Sequence, residues 1–413
     1  MSRPIQGAVE GSRVRTRKRH IVVQKDPESF LALLEPCLEG TLDDIAVKLD
    51  SADLDYKLYN EFLFDRLISG SVGLCFGRAD AAKQPLSPSL LSGPIDEAKD
   101  WATLLEKLLR KKRYLRDPLN ETAGRVMLCI DTVPQYTEHI THLCAYLASF
   151  DLLGSSKTTE FFLLNLLRIR NVVLSGQALS IVSSFSNKLS EIVGVDAAWA
   201  CLVSGDVVTK LNEFAPEEFS GGDDIDAKGG GSGFDIDRFL RLLEEKYGLD
   251  WFSTQYRRMQ SMRAIKKLQD ELTESFLRDG AVEAEVYKKI DAFADSAGLS
   301  NEETVELVWN AVSQCFKGRD IPATLRRLTP YLLKYVGDDL RTEAKLLSLV
   351  QSTCYENPSL IDGFKPIVMM LYDAEVIEGD VIVEWFNSDS GQGRAAFNHQ
   401  LADFVNWLQM DLE

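Results

Sequence analysis

The residues best placed to do chemistry in this 413-residue chain are His139, His142 and Cys144, in the run TEHITHLC. Positions i and i+3 share one face of a helix, so the two imidazoles supply two ligands of a metal site. A metal needs three or four converging donors, and no neighbour completes a set with zinc-finger spacing. Surface or interfacial side chains are therefore the expectation. The chain has no GxxxxGK[ST] loop, no GxGxxG after a strand and no GxSxG elbow. The run Gly230-Gly231-Ser232-Gly233 follows no strand and lacks the setting of a phosphate cradle. Four histidines leave few candidates for His-based acid–base or nucleophilic catalysis, and in so acidic a composition carboxylate pairs belong to any solvated surface. No catalysis, cofactor or metal is expected.

A second candidate is the leucine-dense segment holding Leu104, Leu105, Leu108, Leu109 and Leu115. It keeps no heptad for three turns and is cut by Pro118, which excludes a zipper. Its basic side, with Lys107, Arg110, Lys111, Lys112 and Arg113, reads as a solvated or protein-docking face rather than a reader of DNA sequence.

The elements that carry these residues follow from periodicity. No apolar run reaches the length of a membrane span, and seven cysteines without CxxC spacing read as reduced thiols, so a cytoplasmic protein is expected. Residues 1–26 form a basic tail, with Arg3, Arg13, Arg15, Arg17, Lys18, Arg19 and Lys25 against Glu10 alone; its weak attraction for RNA is the only nucleic-acid contact expected. From Pro27 to residue 219 apolar residues recur at three- and four-residue steps, which predicts a helical N-terminal domain. A Gly/Ser/Pro-rich loop spans 70–94, and Ile169 to Leu174 is the one β-branched run, too short for a sheet. The stretch 220–233, SGGDDIDAKGGGSG, reads as a linker, and 234–413 as a second helical domain in which Asn301, with Thr304 after it, starts a helix. So many short helices per half favour an all-α fold of stacked antiparallel helix pairs, of the HEAT or armadillo kind, in two halves.

The formal net charge of −17 gathers at the C-terminal end, where nine acids from Leu371 onward face Arg394 alone. The segment LYDAEVIEGDVIVEWF (371–386) predicts an apolar stripe through Leu371, Tyr372, Val376, Ile377, Val381, Ile382 and Trp385. Asp373, Glu375, Glu378, Asp380 and Glu384 are left between its members. In FNHQLADFVNWLQMDLE (397–413) the stripe is Phe397, Leu401, Phe404, Val405 and Leu408, with Trp407 near the end and Asp403, Asp411 and Glu413 as acids. Gly379 lies inside the first segment, where a glycine loosens a helix. Carboxylate rims with few local cations make a negative field suited to lysine-rich segments, while the tryptophan rings read as core.

These two segments resemble the paired aromatic-and-acidic boxes of the C-terminal domain of initiation factor five and of the catalytic subunit of factor two B. With TRKR (16–19), LDYKLYNEFLFD (54–65) and IKKLQDEL (265–272), the whole chain resembles the initiation factor five mimics, also named basic leucine zipper and W-two-domain proteins. The resemblance implies a non-catalytic regulator that competes for the lysine-rich tail of the factor two β subunit and contacts the c subunit of factor three. It would thereby tune ternary-complex recruitment and start-codon stringency. It also implies that the eight acids Asp373, Glu375, Glu378, Asp380, Glu384, Asp403, Asp411 and Glu413 are the contacts, with Tyr372, Trp385, Phe404 and Trp407 as anchors. The other reading from the residues alone is a helical scaffold for a different basic partner, or for RNA through the tail.

Overall fold

The computed structural model describes residues 26–154, 160–219, 234–278, 282–316, 320–388 and 393–411, and among them every regular element is a helix. The basic tail, apart from Asp26, and the expected linker at 220–233 lie outside the described residues. The chain divides into two compact units, Met1–Gln255 and Tyr256–Glu413.

In the first unit, α1 (Pro27–Leu34), α2 (Leu42–Ser51) and the short α3 (Asn60–Phe64) precede the looped stretch after Ser69. Then come α4 (Ala98–Lys111), α5 (Arg116–Leu128), α6 (Thr137–Ser149), α7 (Arg170–Leu174), α8 (Gln177–Val193), α9 (Val195–Ser204) and α10 (Ile236–Tyr247). Neighbours stack in order, α2 on α4, α4 on α6, α6 on α8 and α8 on α9, the arrangement of a helical repeat array. The leucines at 104, 105, 108, 109 and 115 are all buried in that stack, which accounts for their density without a zipper. The β-branched run at 170–174 is helical.

The first compact unit runs past residue 234 and takes in α10. Its apolar stripe of Phe239, Leu240 and Leu243 has to be covered, and its partner is α8 of the first unit. Asn187 on α8 donates to the Tyr247 carbonyl at 2.9 Å and accepts from the Trp251 indole N–H at 3.2 Å, while Phe219 meets Phe239 edge-on at 5.2 Å. The long α11 (Asp250–Leu277) follows.

The second unit continues with α12 (Glu283–Ala297), α13 (Asn301–Gln314), α14 (Ile321–Val336), α15 (Leu340–Glu356), α16 (Phe364–Asp373), α17 (Gly379–Asn387) and α18 (Arg394–Asp411). α13 packs on α14 and α15, α15 on α16 and α17, and α16 and α17 on α18. The helix starts at Asn301 as expected, but the capping side chain is that of the residue before it. Ser300 is the cap: its hydroxyl accepts the Glu303 N–H, and the Glu303 carboxylate accepts the Ser300 N–H, satisfying two donors that the first turn leaves open.

Candidate docking surface

The surface at the C-terminal end is built outward from a buried platform, α15. Along it, Glu343, Leu346, Leu347, Val350, Gln351 and Cys354 repeat at three- and four-residue steps and are all buried. The two polar members of that stripe position α17. Glu343 accepts the backbone N–H of Glu378, the residue that caps α17, at 2.7 Å. Gln351 accepts the indole N–H of Trp385 at 3.0 Å. Sequence reading missed both, although a Glu and a Gln standing on an otherwise apolar stripe are the signal that would have found them. Burial holds the Glu343 carboxyl above its ordinary range, with the charges of Glu378, Asp338 and Asp339 acting in the same direction and the Glu378 N–H pulling against them.

Trp385 is buried, as an anchor should be. Its ring packs 5.3 Å from Phe364, and the Arg394 guanidinium lies 4.4 Å over the ring while donating to the Trp385 carbonyl. The segment's single cation is thus set against the core. Phe397 packs against Phe364 in turn, the two rings tilted and 4.4 Å apart.

Trp407 differs. It is 49 % exposed, lying parallel to Phe404 at 5.9 Å and edge-on to Tyr372 at 6.3 Å, with Met410 exposed one turn on. Tyr372 joins three helices, because the first residue of α17, Gly379, sits against it as well. A Cβ on Gly379 would come within 3.3 Å of Leu408 and 3.6 Å of Tyr372. The glycine expected to loosen the helix is instead where α17 closes on α18. The result places Asp373, Glu378 and Asp380 beside the Tyr372–Trp407 pair, with Asp403 one turn before Trp407 on its own face and Glu384 one turn beyond Asp380.

Asp373, Glu375, Glu378, Asp380, Glu384 and Asp403 are exposed, and none makes an ion pair among the described residues. The Asp411 side chain and Glu413 lie outside those residues. Glu375 carries a cost as well. α16 ends in a Schellman turn, with Val376 N–H on the Leu371 carbonyl and Glu375 N–H on that of Tyr372, which leaves Glu375 at φ 58°. A left-handed position suits Gly or Asn, and a negative charge there opposes the helix dipole.

The basic face of α4 is arranged otherwise. Lys107 reaches Asp43 of α2 at 2.6 Å, Lys111 reaches Asp50 at 2.5 Å, Arg110 turns onto Glu106 at 2.7 Å, and Lys112 lies 5.0 Å over the Tyr56 ring. Arg113 is exposed at a cleft of about 630 Å³ that it shares with Arg110, Arg116, Leu109, Phe150 and Leu152. His139 lies 3.2 Å from the Gly93 carbonyl, Cys144 is buried, and no group of three His, Cys, Asp or Glu suited to a metal occurs among the described residues. No helix among them is long and apolar enough to cross a membrane.

Comparison with known proteins agrees with this architecture. Residues 14–225 match the family described as the 5MP1/2 HEAT domain, and residues 342–413 match the W2 domain described as eIF4-gamma/eIF5/eIF2-epsilon. The chain is 25 % identical to protein krasavietz of Drosophila melanogaster and to the human eIF5-mimic protein 2, in each case over 97 % of this chain and 94 % of the relative. It is also 25 % identical to the chicken eIF5-mimic protein 1, over 99 % of this chain and 98 % of that protein. The matched HEAT and W2 domains are non-catalytic.

Proposed function

Since the chain belongs to the eIF5-mimic family of translation-initiation regulators, we propose that the face formed by α16, α17 and α18 captures the lysine-rich tail of the factor two β subunit. Such capture would compete with initiation factor five and restrain ternary-complex recruitment. The observation that carries the reading is the set of six exposed carboxylates on α16, the turn after it, α17 and α18, which make no ion pair among the described residues, on a face that also presents the half-exposed Trp407. An ammonium group gains there from the negative field and from the ring face together. Contact with the c subunit of factor three, a role in start-codon stringency and a cytoplasmic site of action belong to the same proposal.

The test is capture of a lysine-rich β-subunit peptide by the full chain. The triple reversal Glu378→Lys, Asp380→Lys, Glu384→Lys should lower affinity by about a hundredfold, with circular dichroism unchanged, because rim charges contribute little to the fold. Undiminished binding by that variant would remove the acidic face from the docking site.

A further inference from the structure

α11 holds an unusual stretch. From Trp251 to Gln269 it contains no acid, and from Arg257 to Lys267 it carries Arg257, Arg258, Arg263, Lys266 and Lys267 in a chain of formal net charge −17. The flanking parts of the helix are packed: Phe252 is buried against Trp199 at 5.2 Å, and Leu268, Leu272 and Phe276 enter the core of the second unit. Between them, Arg257, Arg258 and every residue from Gln260 to Ala264 are exposed, as are Lys266 and Lys267.

At roughly 100° per residue, Arg258, Lys266, Arg263 and Lys267 fall in that order around one half of the helix, with Met259 and Met262 between them; Leu268 points the other way and the half-buried Ile265 lies at the edge of the face, beside Arg258. Arg257 is engaged within the fold and is left out of the count. The other four make no ion pair among the described residues, unlike Lys107 and Lys111 of α4, whose charge is met by Asp43 and Asp50.

We infer that this convex face of α11, with Arg258, Arg263, Lys266 and Lys267, binds the phosphate backbone of single-stranded RNA without regard to sequence. Three observations favour a polyphosphate over other polyanions. The face is an exposed helical side about 14 Å long, and a convex helical side grips no anchoring side chain as a pocket does. Its apolar content is two methionines, too little to enter a lipid surface, which takes Trp, Phe and Leu on a continuous face. Evenly spread cations along a helix gain by releasing counterions from a chain of regularly spaced charges, which needs no pocket. Gln260 adds a neutral donor beside the ridge. This inference does not rest on the docking surface of α16 to α18.

The experiment is fluorescence anisotropy of a labelled 20-nucleotide uridine oligomer with the full chain, titrated at several salt concentrations. The quadruple variant Arg258→Gln, Arg263→Gln, Lys266→Gln, Lys267→Gln keeps good helix formers. It should lose at least about tenfold in affinity, and the slope of log K against log salt should fall by about 3, near 0.7 for each lost phosphate contact. Arg258→Lys with Arg263→Lys should retain binding, and Lys107→Gln with Lys111→Gln should leave both affinity and slope unchanged. Should the quadruple variant lose helicity, the single Arg263→Gln change, with an expected slope change of about 0.7, carries the test. Wild-type affinity and slope in the quadruple variant overturn the inference. So does displacement of the RNA by polyglutamate at equal charge, which assigns the ridge to acidic protein.

Discussion

On α4, Lys107 and Lys111 reach Asp43 and Asp50 of the neighbouring helix, and Arg110 turns onto Glu106; around α16 to α18, six exposed carboxylates make no ion pair among the described residues. In a residue count the two regions look equivalent, each a run of one sign on an amphipathic helix. The difference lies in what faces them. α2 presents its aspartates to α4 across a packed pair, so the cations are consumed in joining two helices. Around α17 the neighbouring helices present buried apolar groups, Gln351 and the carboxyl of Glu343 but no cation to meet the acids, and the one cation, Arg394, is held over Trp385. A charged face is available to a partner only when the fold leaves it without a complement, and that property is settled by packing rather than by sequence.

The sharpest way to break the comparison is to unseat the acidic face from below. Trp385→Ala removes a buried ring together with its bond to Gln351 and should destabilise the second unit by about 3–5 kcal/mol. Trp407→Ala, at a half-exposed ring, should cost under about 1 kcal/mol and instead weaken peptide capture. Urea midpoints and peptide affinities measured on the two variants should therefore move in opposite proportion. Equal loss of stability would make both rings anchors, as the sequence suggested for them.

Glu343 separates support from contact. Replacement by Leu leaves the Glu378 N–H without its acceptor and should cost about 1–3 kcal/mol, whereas Glu343→Gln keeps an acceptor and removes a buried charge. The pH dependence has a definite sign. A carboxyl whose pKa is raised on folding contributes stability that is complete below its ordinary value of 4.5 and fades as pH rises through the raised folded value. Stability of the wild type should thus decline upward from about pH 4.5 across that window, and the decline should be shallower in Glu343→Gln. Identical pH profiles would exclude Glu343 as the group responsible.

How much of this was legible beforehand differs by level. The helices of both units follow from three- and four-residue apolar spacing, and the resemblance carried by residues 371–386 and 404–409 led to the family. What the periodicity hid was which partner each stripe would take. The helix Ile236–Tyr247 has a strong stripe but nothing in its own residues to say that α8 would cover it. Gly379 reads as a weakness until α18 is placed 3.3 Å from where its Cβ would stand. Trp385 and Trp407 are the same residue type on similar helices, and only the packing of Phe364 and Arg394 on one, and its lack on the other, tells them apart. The basic ridge of α11 is not legible in the periodicity, because exposure of a helix midsection depends on what the flanking turns pack against.

Two smaller changes probe the comparison at its edges. Glu375→Asn relieves a left-handed Glu and removes a charge opposing the α16 dipole, so stability should rise by up to about 1 kcal/mol while peptide capture weakens. A gain in both would show that the Glu375 carboxylate is no contact. On α4 the reversal Lys107→Glu with Lys111→Glu sets like charges against Asp43 and Asp50. These pairs are solvent-exposed, so the loss should stay near 1 kcal/mol or below, and high salt should shrink it further by screening. Thermal denaturation at low and high salt reads that loss, and peptide affinity should not move with it. If the α4 reversal alters capture of the lysine-rich peptide as strongly as reversal on α17 does, the two faces act as one electrostatic field. Pairing inside the fold would then not be what makes one of them silent.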